Sequence, residues 1–540
     1  LHAYTITHAI DDKNVLKFHI DYFKGKGSQN PKPGEPIAQQ AVTEAILEKH
    51  HAATNHKKFN AVLATASINN AIEYYRLFKE IQKQKQAGNP DYVPLHIACV
   101  FSPPADGNKD IQQIQEDLAQ EKEDNKQNPE EKKAALKEII SDYNRQYGTN
   151  HAISEFDLYY QDVQRRIKDQ KYSNKDYPHK NKIDITIVVD MLLTGFDSKY
   201  LNALYVDKNL KYHGLIQAFS RTNRVLNDTK PYGNILDFRS QQEAVNQAIA
   251  LFSGEDNGRA KEIWLVDPAP VVIDQYQEAV EKLGFFMEDN NLVCEPQEVY
   301  NLKGDAARIA FVKNFKEVQR LKTQLDQYTD LNEAQKATIE AILPKETLQE
   351  FRSSYIETAK QLREIQQKEG DEAPPEIQQL DFEFVLFASA VIDYDYIMNL
   401  IADSTQQKPA RQKMTKTQVI SLLSSDANLM DINSLDWNSG QDVNSLRNGY
   451  DTFKIEKNEK ELAAIARKHG LQTADLKTFV GNIMNRMIFD GEKLTDLLEP
   501  LELSWAARRV KELALMEDLV PQLKKLAQGR DISGLAAYDV

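Results

Sequence analysis

Two arginines three positions apart are the side chains of this sequence best suited to bind phosphate. Arg221 and Arg224 stand in the segment QAFSRTNR, and a helical rotation of about 100° per residue would place Gln217 beside them. The opposite, packing face would then carry Leu215, Phe219, Thr222 and Leu226. A guanidinium stays charged and can donate two hydrogen bonds to a phosphate at once, so the pair suits a polyphosphate. An amphipathic helix with a solvated basic face would show the same spacing.

A second candidate group follows the apolar run IDITIVVD at 183–190. Thr194, Gly195 and Asp197 belong to the segment MLLTGFD, directly after this predicted strand. Open α/β sheets bind ligands where strands end, although Gly and Asp are also ordinary turn residues. Since MLLTGFD precedes QAFSRTNR by about twenty residues, the two segments together favour a binding site more strongly than either does alone.

The rest of the first half alternates predicted strands and helices. Apolar runs predict strands at 15–23, 60–66, 95–102, 183–190, 202–207 and 233–238. Apolar residues at helical spacing predict helices at 37–52, 69–86 and 241–252, besides the one assigned to the arginines. This order implies a mostly parallel sheet covered on both faces. The alternation in the first strand predicts that it is half-buried.

Two polar clusters are interpreted as surface rather than as metal sites. No carboxylate or cysteine stands at ligand spacing from a group of close histidines, His50, His51 and His56. The highly charged stretch 106–170 is predicted to be helical and solvated. We therefore do not interpret its carboxylates Glu116, Asp117 and Glu121 as nuclease ligands. We therefore predict no metal site.

The second half of the chain is predicted to be helical. Helical periodicity dominates a domain at 256–402, the polar segment 403–418 is interpreted as a linker, and 419–540 is predicted to form a C-terminal helical domain. The first domain then spans 1–255. The predicted fold class is thus α/β followed by all-α.

Composition limits the function classes. The 540 residues carry a formal charge of -14, which argues against a histone-like protein that coats DNA. Any DNA must therefore be held in a local basic channel. The two cysteines are too few for a disulfide framework and are typical of a reducing cytoplasm. No apolar run has the length of a membrane span, which predicts no membrane association. The chain begins at Leu1 without an initiator methionine, which indicates a fragment.

The run VVDMLLTGFDSKYLNALYVDKNLKYHGLIQAFSRTNR resembles the motor (R) subunit of type I restriction enzymes. It contains segments similar to motifs V and VI of superfamily 2 helicases, and the resemblance implies that 1–255 is the second of two RecA-like domains. Motif VI implies that Arg221 and Arg224 are arginine fingers. Gly195, Asp197 and Gln217 would then contact or couple to the nucleotide.

The same resemblance assigns DNA contacts. Thr194 of motif V would touch the DNA backbone. The strand at 60–66 and the helix after it resemble motif IV, so that Thr65 and Ser67 could hold a DNA phosphate. Ordinary capping of the following helix explains Ser67 equally well.

The family implies ATP and Mg²⁺ as cofactors of the complete subunit. The implied partners are double-stranded DNA, methyltransferase (M) and specificity (S) subunits, and the first RecA-like and nuclease domains of the same subunit. The resemblance also implies that the chain is the C-terminal part of the subunit. Since the phosphate-binding loop GxxxxGK[ST], the acidic motif that holds magnesium and a nuclease motif of clustered acids and lysine are all absent, the chain is predicted neither to hydrolyse ATP nor to cut DNA by itself.

Two alternatives remain open. One is a non-catalytic assembly module that binds the methyltransferase through its helical regions, and the other is a different superfamily 2 translocase or helicase. The tail GRDISGLAAYD resembles that of the family, which implies methyltransferase docking by 419–540. Either interface anchoring or core packing could explain Trp505, Met516 and Leu519.

Overall fold

The computed structural model describes residues 5–24, 35, 37–89, 92–168, 181–253, 259–369, 459–486, 489, 491–501, 505–527, 532 and 534–535. The predicted linker 403–418 lies outside these residues. So do the end of the predicted domain 256–402 and the beginning of 419–540.

Six parallel strands form the sheet, in the order β1-β6-β5-β2-β4-β3. In chain order they are β1 Phe18–Tyr22, β2 Asn60–Thr65, β3 Ile97–Val100, β4 Ile185–Val188, β5 Leu201–Asp207 and β6 Gly233–Asp237. The inner strands β2, β4, β5 and β6 are buried along their whole length, because their apolar runs are covered on both faces. The predicted α/β class is confirmed.

Ten helices of the first half, among the described residues, surround or extend this sheet. They are α1 Ile6–Asp11, α2 Gln39–Ala53, α3 Ile68–Gly88, α4 Lys109–Ile114, α5 Ala119–Asp124, α6 Pro129–Tyr147, α7 Phe156–Lys168, α8 Tyr212–Phe219, α9 Gln242–Phe252 and α10 Ala260–Trp264. Helix α3 begins because Ser67 caps it, with the hydroxyl accepting the N–H of Asn70 at 3.2 Å. The described part of the charged stretch, 106–168, contains α4 to α7, as its helical pattern predicted.

The helical region follows as α11 Ala269–Asp289, α12 Asp305–Leu325, α13 Glu333–Ile342 and α14 Lys345–Glu369. Facing aromatic rings join α12 to α14, including Phe315 and Tyr355 at 5.4 Å between centroids. The described residues up to 369 belong to one compact unit. The predicted boundary at 255 falls inside it, since Trp264 is buried and its indole N–H donates to the Thr7 hydroxyl at 2.9 Å.

The first strand is more buried than its alternation predicts. His19 and Asp21 on its polar side are only 4% and 5% exposed. The chain after α12 covers them, since a His19 ring nitrogen lies 3.1 Å from Asp330 and the Thr329 hydroxyl donates to Asp21 at 2.8 Å. The prediction of a half-buried strand was wrong because these partners lie about 310 positions away in the chain.

A second compact unit contains the described residues from 459 onward. It is helical at 459–469 and continues as α15 Thr473–Arg486, α16 Gly491–Leu498 and α17 Trp505–Ala527. Met516 and Leu519 are buried in its core, as the packing alternative predicted. Across the described part of the chain, no helix has both the length and the apolar character needed to cross a membrane.

Candidate functional site

The arginine pair follows a helix instead of lying on it. Helix α8 ends at Phe219, and Arg221 and Arg224 belong to the turn that leads toward β6. The predicted helical arc is therefore wrong for both arginines. The predicted packing side is confirmed for Leu215 and Thr222, which are fully buried.

Backbone pairing explains why the helix stops and where the turn lies. The N–H of Leu16 donates to the carbonyl of Asn223 at 2.7 Å, and Val15 forms an antiparallel bridge with Arg224. Because residues 15 and 16 precede β1, the arginines lie at the amino ends of the strands. The segment 189–200 crosses from the carboxyl end of β4 to the amino end of β5 and meets them there. From the sequence, the candidate residues of this segment were predicted to lie at the carboxyl ends of the strands, and that prediction was wrong.

An ion pair joins the two candidate segments. The Nε of Arg224 lies 2.6 Å from a carboxylate oxygen of Asp197, and the side chains are 43% and 59% exposed. An ion pair this exposed contributes at most about 1 kcal/mol. Asp197 therefore orients the guanidinium without holding it firmly.

Arg221 connects the same segments through the backbone. Its Nη1 donates to the carbonyl of Phe196, and its Nε donates to the carbonyl of Gln217 at 3.0 Å. The neighbouring Gly195 has a φ of 71°, in the left-handed region that glycine adopts without strain. The side chains of Gln217 and Thr194 are exposed. The structure thus brings together the predicted residues of 194–197 and 217–224.

The charges of the site suit an anion. Partial burial lowers the pKa of Arg221, the positive charge of Arg224 lowers it further, and Asp197 opposes both effects. The charge of Asp197 thus opposes two guanidinium charges, of which it pairs directly with that of Arg224. The terminal nitrogens of Arg224 and the Nη2 of Arg221 make no hydrogen bond within the described ranges. Such donors can bond the oxygens of a triphosphate, so these residues fit ATP as a ligand.

Thr65 and Ser67 lie at the other edge of the sheet, where β2 ends. The Thr65 side chain is buried, and its hydroxyl donates to the carbonyl of Val188 at 3.0 Å. The Ser67 hydroxyl caps α3, which is the capping alternative, and this residue remains partly exposed. Contact of Thr65 with a DNA phosphate would require its internal hydrogen bond to be exchanged. For both residues, DNA binding stays a prediction.

Glu121 is buried at this carboxyl edge, although its charged surroundings predicted a solvated position. Its carboxylate accepts the N–H groups of Ser102 at 2.7 Å, Asp190 at 2.9 Å and Met191 at 3.2 Å. Burial raises the pKa of Glu121, and these three donors counteract the effect. Asp124, one turn further along α5, accepts the N–H of Ile68 at 2.7 Å. Helix α5 therefore fastens the chain where β2, β3 and β4 end.

Two family models match the chain. The model for domain 3 of the type I restriction enzyme subunit R matches residues 57–240, which hold the site. The model for the C terminus of subunit R of type I restriction and modification enzymes matches residues 264–526. The chain belongs to the family of type I restriction enzyme R subunits.

Individual relatives agree with this family. The chain is 29% identical over 525 residues to the endonuclease subunit of a type I restriction enzyme of Staphylococcus saprophyticus, covering 92% of this chain and 52% of the relative. The corresponding subunit of Staphylococcus aureus strain COL is 28% identical over 441 residues, covering 78% of this chain and 43% of the relative. This R-subunit chain spans about half the length of the curated relatives it matches.

Among solved structures, a fragment of an HsdR subunit of a type I restriction enzyme from Vibrio vulnificus was matched to this chain. Its sequence identity to this chain is 14% and the TM-score is 0.29, with coverage of 47% of this chain and 38% of the fragment.

Two residues of the site were missed by sequence reasoning. Lys230 is buried, and its amino group donates to the carbonyl of Arg224 at 3.0 Å. Gly233 begins β6 so close to Thr222 that a Cβ would lie 2.2 Å from the Thr222 hydroxyl. The segment KPYG at 230–233 carried no signal for either contact beyond the presence of turn residues. Both contacts fix the turn of the R subunit that carries its arginines.

The interpretation of three surface histidines holds for His51 and His56 but was wrong for His50. His50 is fully buried, and a ring nitrogen lies 2.8 Å from the hydroxyl of Tyr205 in β5. Helix α2 packs this side of its last turn on the sheet, which the spacing of the histidines could not reveal. Within the described ranges, no group of three or more His, Cys, Asp or Glu side chains is arranged to hold a metal ion.

Proposed function

We propose that this chain is the part of a type I restriction motor subunit that supplies arginine fingers to an ATP site. One observation carries the proposal. Arg224 and Arg221 lie side by side, and among the described residues both terminal nitrogens of Arg224 and the Nη2 of Arg221 make no hydrogen bond, while the Arg224 side chain is paired only with the exposed carboxylate of Asp197. Two adjacent cations with free donors are suited to a transferred phosphoryl group, whose charge increases on its oxygens during transfer.

In this proposal the ion pair with Asp197 positions the Arg224 side chain before ATP binds. The pair keeps the guanidinium near its working position, so less side-chain freedom is lost when a triphosphate arrives. Since the exposed pair is worth at most about 1 kcal/mol, Arg224 can leave Asp197 for the γ-phosphate. Asp197 and Gly195 would then face the ribose side, and Gln217 would couple the nucleotide to the segment after α8.

The remaining parts of the ATP site would come from a first RecA-like domain. There, backbone donors and acidic residues would hold the triphosphate and Mg²⁺, whose chemistry is to neutralise charge on the phosphates. Closure of the two domains on ATP and opening after hydrolysis would move the motor along double-stranded DNA. Thr194, Ser67 and Thr65 are the proposed contacts with the DNA backbone.

The whole subunit is proposed to cleave DNA through a nuclease domain and to work in the cytoplasm with methyltransferase and specificity subunits. Residues 419–540 are proposed to dock on the methyltransferase. If they do, a polypeptide of 419–540 should bind the methyltransferase, and substitutions at Arg221 and Arg224 should leave that binding unchanged. Failure of 419–540 to bind, with binding by the whole subunit, would move the docking surface elsewhere.

The test of the arginine role is steady-state ATP hydrolysis by the intact R subunit carrying Arg224→Ala. Turnover with DNA should fall by about 10³-fold or more, since arginine fingers are worth 10³ to 10⁵ in kcat. DNA affinity should remain near that of the wild type. The matched control is Arg145→Ala, because Arg145 is 78% exposed and ion-paired on α6, and turnover should not change. Preserved turnover in Arg224→Ala would remove the arginine from this role.

A further inference from the structure

The side chain of Lys230 enters the interior of the sheet domain beneath the arginine turn. Its Nζ lies 2.9 Å from the carbonyl oxygen of Lys199, 2.9 Å from that of Leu201 and 3.0 Å from that of Arg224. The side chain is 1% exposed. A protonated amine has three N–H groups, so each carbonyl receives one donor. Burial lowers the pKa of Lys230 to about 7.

These carbonyls belong to both sides of the exposed ion pair. Lys199 and Leu201 follow Asp197 by two and four residues, and Arg224 is the partner of Asp197. Above the turn, the carboxylate and the guanidinium meet in solvent. Below it, one buried amino group joins the backbones that carry them. The relative position of Asp197 and Arg224 therefore depends on a contact that is screened from water.

Lys230 itself is held in place by its neighbour in sequence. The carbonyl of Thr229 accepts the side-chain amides of Asn55 at 3.1 Å and Gln327 at 3.0 Å. Thr229 is thereby tied to the chain after α2 and to the chain after α12. The Lys230 side chain starts from a fixed backbone, which is needed if its far end is to position another group.

We propose that Lys230 is a positioning residue for Arg224 in the R subunit. The inference rests on the proposed function, because it gives Lys230 a role in ATP hydrolysis that acts through the arginine finger. Removing the amino group takes one hydrogen bond from each of these three carbonyls, and the turn can relax. A shift of about 1 Å in a catalytic group can lower a rate by about 10²-fold. Lys230 would thus affect turnover without touching the nucleotide.

A double-mutant cycle in the intact R subunit tests this role. Lys230→Met should lower kcat for ATP hydrolysis by about tenfold or more, with KM changed by less than about threefold. The double variant Lys230→Met, Arg224→Ala should be no slower than Arg224→Ala, because Lys230 acts through the arginine. Multiplied losses, or an unchanged kcat in Lys230→Met, would overturn the inference.

Lys182 supplies a matched control. It is also a buried lysine whose pKa burial lowers to about 7, and its strongest charged neighbours are Asp184 and Lys58, away from the arginine turn. Lys182→Met should change stability and leave kcat unchanged. If Lys182→Met lowers kcat as much as Lys230→Met, the loss reflects general destabilisation, and the positioning role is rejected.

Hydrogen–deuterium exchange of the 540-residue chain gives a second readout that needs no activity. Lys230→Met should speed exchange of amides in peptides spanning 197–201 and 221–226 by about tenfold, with exchange in α11 to α14 unchanged. If Lys230→Met does not fold, Lys230→Gln retains two N–H donors and serves in the same comparison. Unchanged exchange in both peptides would overturn the inference.

The turnover of Arg224→Ala and that of Lys230→Met together separate this inference from the proposed function. Full turnover in Arg224→Ala would reject the arginine role and with it the positioning role of Lys230. Loss of turnover in Arg224→Ala together with normal turnover in Lys230→Met would reject only the role of Lys230.

Discussion

Gly233→Ala should destabilise the fold by pressing directly on the arginine turn. A Cβ at this position would lie 2.2 Å from the Thr222 hydroxyl oxygen, 2.9 Å from the Thr222 Cβ and 3.0 Å from its carbonyl carbon. Strand β6 cannot easily retreat, since the N–H of Gly233 donates to the carbonyl of Lys17 at 3.0 Å and the residue pairs with Phe18 of β1. The clash must therefore displace Thr222, which stands between Arg221 and Arg224.

The magnitude follows from opposing effects. Overpacking of this kind costs about 1–3 kcal/mol. Displacing Thr222 would also weaken the hydrogen bond from its hydroxyl to the carbonyl of Phe219, 2.8 Å long and worth about 1 kcal/mol. The smaller entropy of the unfolded alanine chain returns about 0.4–1 kcal/mol. We expect a net loss of about 2 kcal/mol in the free energy of unfolding.

Urea unfolding of the 540-residue chain, followed by circular dichroism, measures this loss. Gly214→Ala is the control, because Gly214 stands inside α8 and its added Cβ would have no atom within 4 Å apart from its chain neighbours and the backbone of that helix. An alanine there should stabilise the chain by up to about 1 kcal/mol. Adding Thr222→Ala to Gly233→Ala should recover part of the loss by removing the 2.2 Å contact. A Gly233→Ala chain as stable as the wild type would refute the close-packing argument.

Two further substitutions test buried charges. Glu121→Gln should lower the free energy of unfolding by about 1–3 kcal/mol, since an amide cannot accept all three N–H groups. In the same urea titration, the control Glu123→Gln on the exposed side of α5 should change this free energy by less than about 0.5 kcal/mol. Equal effects of the two would contradict the assigned contacts. Lys182 has a pKa lowered to about 7, below its unfolded value of 10.5, so the folded chain binds fewer protons between these values and stability rises with pH there. The free energy of unfolding of the wild type, relative to that of Lys182→Met, should therefore increase by an amount on the order of 2 kcal/mol between about pH 7 and about pH 9. A difference between the two proteins that does not change with pH would show that Lys182 titrates normally.

The strands could be predicted from sequence because burial on both faces leaves a local mark. Runs such as ITIV in β4 and LNALYVD in β5 combine β-branched and aliphatic residues over the length of a strand. The alternation of these runs with helices then restricts the sheet to parallel pairing. The sequence also predicted that two separate segments form the site, and the ion pair between Asp197 and Arg224 shows that these segments meet.

The shape of the site was not accessible, because its determinants are distant in sequence. Helical spacing continues through Arg221 and Arg224, yet the chain leaves the helix to pair with Val15 and Leu16, about 200 positions earlier. Propensity cannot show such pairing.

Buried polar residues were misjudged for the same reason. Glu121 is surrounded in sequence by charged residues, and its N–H partners at Asp190 and Met191 are about 70 positions away. The partner of His50 is Tyr205, 155 positions later. Composition around a residue indicates exposure on average, but a single side chain is buried when distant donors or acceptors satisfy it.

During ATP hydrolysis, Arg224 is proposed to exchange Asp197 for the transferred phosphoryl group. A cryo-electron microscopy structure of the intact R subunit with ADP, Mg²⁺ and aluminium fluoride, a mimic of that group, measures this directly. We expect the guanidinium of Arg224 within about 3 Å of a fluoride ligand and its pair with Asp197 broken. A structure in which the fluoride is bound while Arg224 remains paired with Asp197, out of hydrogen-bonding reach of the nucleotide, would contradict the claim.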